Sequence, residues 1–123
     1  MKRAGTVLVV LVALEHLWFL VLEMFLFTRP TGLETFHLTQ AAADTCATLA
    51  KNQGLYNGFL AAALIASVAS GSVALRRFGL ISVIVAGAFG TATLGDAALL
   101  GVQSVPAVLA LVVSELAGRR AVT

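Results

Sequence analysis

The chain has 123 residues, 59% of them apolar types and 11% charged, with a formal net charge of +2. Ordinary soluble domains carry about 25% charged residues, and mean hydropathy here is +0.98. That excludes a disordered chain, a nucleic-acid-binding domain and an ordinary cytosolic enzyme, and points to a single all-α membrane domain over residues 1–123.

A membrane-spanning helix needs about 20 mostly apolar residues, and four segments approach that length. The first is expected from about Gly5 to Thr28, behind Lys2-Arg3. It opens like a signal peptide, but the apolar run passes through Glu15-His16 and continues to Phe27, which predicts a retained span. Pro30 closes it, because proline cannot continue a helix and restricts the residue before it. In the connection 29–51, the alanine-rich stretch 39–50 with Thr39 as N-cap predicts a short interfacial helix in an outer loop. The second span is expected over 52–75, between Lys51 and Arg76, the third over 78–94 and the fourth over 97–117. Gly95-Asp96 divides the last two, since glycine suits the position past a helix end and aspartate is a favoured N-cap. Pro106 inside the fourth predicts a kink. The fold class is therefore a polytopic antiparallel bundle of four transmembrane helices.

Basic residues set the orientation. With the N-terminus inside, Lys2, Arg3, Arg76, Arg77, Arg119 and Arg120 face the cytoplasm, and only Arg29 and Lys51 face out. That bias predicts cytoplasmic N- and C-termini. The same basic clusters are membrane anchors, so the expected partners are membrane lipids and not nucleic acid.

Lipid is as apolar as leucine, so helices must associate through close backbone approach and interhelical hydrogen bonds. The second span carries Gly54, Gly58, Ala62, Ala66 and Ser70. The third carries Ser82, Ala86 and Gly90, with Gly87, Thr91 and Gly95 beside them. These are packing faces, within one bundle or as the seam of a homodimer.

Charged groups inside a span are costly and are functional candidates by default. Glu15, His16 and Glu23 lie within the first span. At about 100° per residue, His16 and Glu23 differ by about 20° around the helix, and Glu15 lies about 80° from Glu23, so all three share one face. The second span opens with Asn52, Gln53, Tyr56 and Asn57, and the fourth carries Gln103 two turns below Asp96. In the orientation above, Glu23, these amides, Tyr56 and Asp96 can meet in the outer half of the membrane, with His37 above them. They serve as a scaffold of interhelical bonds or as an outward-facing pocket for a small polar ligand or lipid headgroup, with protonation of Glu23.

No catalytic constellation is expected. One cysteine, Cys46, makes neither a disulfide nor a thiolate metal site. The two histidines, His16 and His37, are placed too differently for a haem between helices. Zinc, nucleophile-elbow and phosphate-loop motifs are missing. No metal and no cofactor are therefore expected. An enzyme using His16 or His37 with Glu23 as acid and base is a weaker alternative.

The stretches Glu15–Pro30, Asn52–Ala62 and, more weakly, Gln103–Ala107 resemble a bacterial family of four-helix membrane proteins, domain-of-unknown-function family 1304. The Asn-Gln-Gly-Leu-Tyr-Asn-Gly-Phe-Leu-Ala block is the most specific part, and Phe27 stands where the family leads one to expect tryptophan. The resemblance implies a bacterial plasma (inner) membrane protein and no established activity. Its signature residues fall on Glu23, Asn52, Gln53, Tyr56, Asn57, Gln103 and Pro106. A proton-coupled transporter similar in outline to small multidrug-resistance exporters, with Glu15 as carboxylate, is an alternative. A structural or partner subunit of a membrane complex is another.

Overall fold

The structure, a computed structural model, describes residues 2–119. Arg120, one of the six basic residues of the orientation argument, lies outside the described residues. The elements in order are α1 (Lys2–Val21), a π-helical segment π1 (Leu22–Leu26), α2 (Pro30–Phe36), α3 (Gln40–Ser70), α4 (Val73–Leu94), π2 (Leu100–Ser104) and α5 (Val105–Arg119). The fold is all-α among the described residues. Three stretches, Arg3–Leu26, Val73–Leu94 and Leu100–Gly118, are long and apolar enough to cross a membrane. Large apolar side chains along them lie on the surface, among them Val7, Leu11, Phe25, Phe78, Val85 and Phe89. Water would reject so much exposed apolar surface, and lipid accepts it. α3 is not among the three, because the polar block from Lys51 to Asn57 interrupts its apolar run.

Several boundaries differ from the sequence reading. The interfacial helix 39–50 and the span 52–75 are one continuous helix of 31 residues, Gln40–Ser70. Nothing between Ala50 and Asn57 breaks it: Lys51, Asn52 and Gln53 are polar but carry the backbone N–H a helix needs. Thr39 caps its start, accepting a hydrogen bond from the Ala42 N–H at 3.3 Å. The helix stops at Gly71, whose φ of +68° suits glycine. Ser72 then caps α4, its hydroxyl accepting from the Leu75 N–H at 3.3 Å. The break thus falls at Gly71-Ser72, and Arg76-Arg77 lie inside the first turns of α4. Ser72→Ala should remove this cap and lower stability by about 1 kcal/mol, read as a shift in thermal unfolding in detergent.

The chain divides into two compact units. One joins residues up to Ala13 with those from Ala62 onward, and the other is Leu14–Ala61. In the first unit, α4 ends at Leu94, and Gly95 (φ +72°) returns its N–H to Thr91 O at 3.0 Å. The Asp96 carboxylate accepts from the Ala98 N–H at 2.9 Å and caps the next turn. α4 and α5 then pack side by side. Gly87 makes room for Ser104, and the Ser104 hydroxyl donates to Ile84 O at 3.1 Å. Leu80 and Val83 of α4 and Ala107 and Ala110 of α5 are buried. At the far end Arg77 donates two hydrogen bonds to Glu115, both 2.6 Å.

The helix is irregular just before Pro106. The proline has no N–H to give, and the turn before it widens into π2, where the Val105 N–H reaches back five residues to Leu100 O.

In the second unit, π1 continues α1 and the chain turns at Arg29-Pro30 into α2, a short helix absent from the sequence reading. Pro30 sits in the first turn of α2, where its missing N–H costs nothing. α2 ends at His37 in the left-handed region (φ +53°), with the Leu38 N–H on Leu33 O at 3.0 Å. This is a Schellman-type ending. Gly32 lies directly on the carbonyls of Leu26 and Phe27, and the Phe27 and Phe36 rings pack at 5.3 Å. The Gln40 amide donates to Thr28 O at 3.4 Å and to Asp44 at 2.9 Å.

Candidate functional site

The site is built in the Leu14–Ala61 unit, where α3 approaches the end of α1 and π1. Gly54 and Gly58 permit that approach. A Cβ on Gly54 would stand 2.6 Å from Met24 Cγ, 3.1 Å from Glu23 Cβ and 3.2 Å from Leu20 O. A Cβ on Gly58 would stand 2.6 Å from Leu20 Cδ1. Between these two glycines α3 presents Asn57.

The Asn57 side-chain amide donates to Glu23 Oε2 at 2.7 Å, a part-buried bond between residues 34 apart in sequence. A carboxylate only accepts, so this contact orients the amide with Nδ2 toward Glu23 and leaves Oδ1 on its other side. Glu23 lies within the span Arg3–Leu26 and belongs to π1. π-turns inside α-helices recur at functional sites. The contact is short, and while Glu23 is ionised it is of the stronger, charge-assisted kind.

The other sequence candidates sit differently. Asn52, Gln53 and Tyr56 are exposed on α3. Around that helix Tyr56 lies about 100° and Asn52 about 140° from Asn57, so they do not join Glu23. Tyr56 instead packs edge-on against Phe59 at 6.1 Å. His37 is exposed at the end of α2. Gln103 belongs to the other unit, where its Cβ would stand 3.0 Å from a Cβ on Gly87. Of the small-residue stripe, Ala62, Ala66 and Ser70 are exposed. A four-residue step advances about 40° around a helix, so the stripe drifts off the packed face after two steps. Burial passes instead to Ala61, Leu64 and Ser67. Gly90 is half-buried, with Leu99 Cδ1 at 3.4 Å from where its Cβ would be.

Glu15 and His16 lie two turns earlier on α1. His16 is fully buried, its ring edge-on to Phe19 at 5.5 Å. Glu15 is half-buried, and its Oε2 is enclosed with no hydrogen-bond partner among the described residues. No group of three or more His, Cys, Asp or Glu residues among the described residues could hold a metal ion.

Sequence reasoning missed Leu20, Met24 and Gly32. Leu20 and Met24 seat the two glycines of α3 against Glu23, and the Gly54/Gly58 spacing was the signal that some helix must lie there. Gly32 holds α2 against the carbonyls that end π1, and nothing in the sequence around it announces that contact.

A family model described as protein of unknown function (DUF1304) matches residues 10–114. The uncharacterised protein YpaA of Lactococcus lactis is 32% identical over 112 residues, covering 88% of this chain and 93% of that protein. No solved structure matches the chain. The matched segment contains both π-turns, the two glycines of α3 and the Glu23–Asn57 pair, and the chain belongs to this family of proteins of unknown function.

Proposed function

We propose that the protein is a four-helix protein of the bacterial plasma membrane, with both termini cytoplasmic, that binds a small polar ligand or lipid headgroup at Glu23. Protonation of Glu23 accompanies binding or release. The observation that carries this reading is the Glu23–Asn57 hydrogen bond, which fixes a carboxylate at a π-turn inside an apolar span. An ionisable group held there is expensive, and a binding role explains its retention better than packing alone. α3 is the fourth spanning helix in this reading, its polar first half standing at the outer interface.

The test is the thermal stability of the purified protein in detergent against a panel of small polar solutes and lipids, for wild type and Glu23→Gln. A ligand that raises the unfolding midpoint of wild type only supports the reading. If no solute or lipid discriminates the two proteins, the reading fails.

The enclosed Oε2 of Glu15 favours a second reading, proton-coupled transport with Glu15 as the exchanging carboxylate. Proteoliposomes should then release protons on addition of a cationic substrate, and Glu15→Gln should abolish the release. No release from wild type removes this reading.

A further inference from the structure

The hydrogen-bond inventory at Glu23 narrows the ligand. One of the two N–H groups of Asn57 Nδ2 is given to Glu23 Oε2, and one donor is left. What remains on the pair is mainly acceptor: Glu23 Oε1, the second lone-pair region of Oε2, and Asn57 Oδ1. Both residues are part-buried, and their oxygens are not among the enclosed side-chain atoms that lack a partner in the described residues. The charge inventory agrees. Among the described residues the ion pair formed is Arg77–Glu115, in the other unit. The basic residues of the Leu14–Ala61 unit, Arg29 and Lys51, are both exposed. Among the described residues the Glu23 carboxylate thus has an amide partner and no cationic one. A carboxylate inside an apolar span either takes up a proton or, while ionised, calls for a counter-charge that also supplies hydrogen-bond donors.

We propose that the ligand of this site is a primary ammonium group, R–NH3+, received by the free oxygens of Glu23 and Asn57. An ammonium brings one positive charge and three donors with no acceptor, which complements what the pair leaves open. A quaternary ammonium brings the charge without the donors, and an anionic or acceptor-rich ligand meets the wrong groups. The group belongs to a free small amine or to the headgroup of an ethanolamine-type lipid; the chemistry at the site is the same. The inference rests on the reading of Glu23 as a binding site.

The experiment uses the full chain and follows its thermal unfolding midpoint. In detergent the probes are ethylammonium and tetramethylammonium chloride at equal ionic strength. In nanodiscs the comparison is phosphatidylethanolamine against phosphatidylcholine. Ethylammonium should raise the wild-type midpoint with a saturable dependence on concentration, and tetramethylammonium should not. Glu23→Gln should lose the shift, and Asn57→Leu should weaken apparent affinity about tenfold, the size expected for one charge-assisted bond. A matching preference for the ethanolamine nanodisc assigns the ammonium to a lipid headgroup; a shift confined to soluble amine assigns it to a free molecule. Equal shifts from both ammonium salts, a shift that survives in Glu23→Gln, or no shift in detergent and no lipid preference would each overturn the proposal. Should a ligand without an ammonium group bind wild type and not Glu23→Gln while ethylammonium does nothing, this proposal falls and the reading of Glu23 as a binding site stands.

Discussion

Gly32→Ala is expected to destabilise the protein by about 2–3 kcal/mol, read as a lowered unfolding midpoint in detergent. The added Cβ would meet backbone and not a yielding side chain. It would press on the Leu26 carbonyl oxygen and stand 2.5 Å from Phe27 O and 2.7 Å from Phe27 C. Those atoms end π1, so relief requires α2 to lift away from it. That motion would open the Phe27–Phe36 contact and the Gln40–Thr28 bond together. Gly118 supplies the control. A Cβ there meets nothing within 4 Å among the described residues, and the residue lies within α5. Gly118→Ala should therefore raise stability by about 0.5–1 kcal/mol through helix propensity. Opposite signs from the same chemical change would identify close packing, and not glycine chemistry as such, as what Gly32 provides. A neutral Gly32→Ala would mean that α2 does not seat on π1.

The second large effect concerns the carboxylate and its amide. Asn57→Leu removes the donor and leaves the Glu23 carboxylate in an apolar span without compensation, at a cost of about 3 kcal/mol. Glu23→Gln keeps a carbonyl oxygen for Asn57 Nδ2 and removes the charge, so it should cost less than about 1 kcal/mol. The double variant should be less damaging than the sum of its parts, because the side chain then left without a partner is a neutral amide and not a carboxylate. Reversible unfolding of the four proteins closes this cycle. Additive effects would show that the two residues do not touch.

The apolar class of the chain was legible because composition alone bounds it, and the turn between α4 and π2 was legible because Gly95 and Asp96 each have one strong local preference. Glu23 and Asn57 were legible as polar exceptions inside apolar runs, and their reach toward one another followed from placing both near the outer end. What the sequence hid was where helices do not stop. Lys51-Asn52-Gln53 reads as a boundary by polarity, yet nothing in those residues breaks hydrogen bonding, so α3 runs through. Arg76-Arg77 likewise reads as a loop by charge, while the break comes at Gly71-Ser72 by backbone conformation. Charge marks the water boundary and glycine marks the helix boundary, and the two differ here by several residues.

Rotation around α3 was the other hidden quantity. Asn52, Gln53, Tyr56 and Asn57 crowd one stretch of sequence, but among the described residues Asn57 is the one hydrogen-bonded to Glu23. The glycines decide this, because Gly54 and Gly58 fix which side of α3 lies against Leu20 and Met24. The π-turns were beyond sequence reasoning in different degrees. Pro106 announces a disturbance ahead of it and π2 is its form, whereas π1 has no proline and follows no visible signal.

The most direct test of the account is native mass spectrometry of the intact protein released from its own membrane, comparing wild type with Glu23→Gln at matched folding. Wild type should carry a bound small molecule or lipid of defined mass that is lost from Glu23→Gln. Equal adducts on both proteins, or none on either, would contradict it.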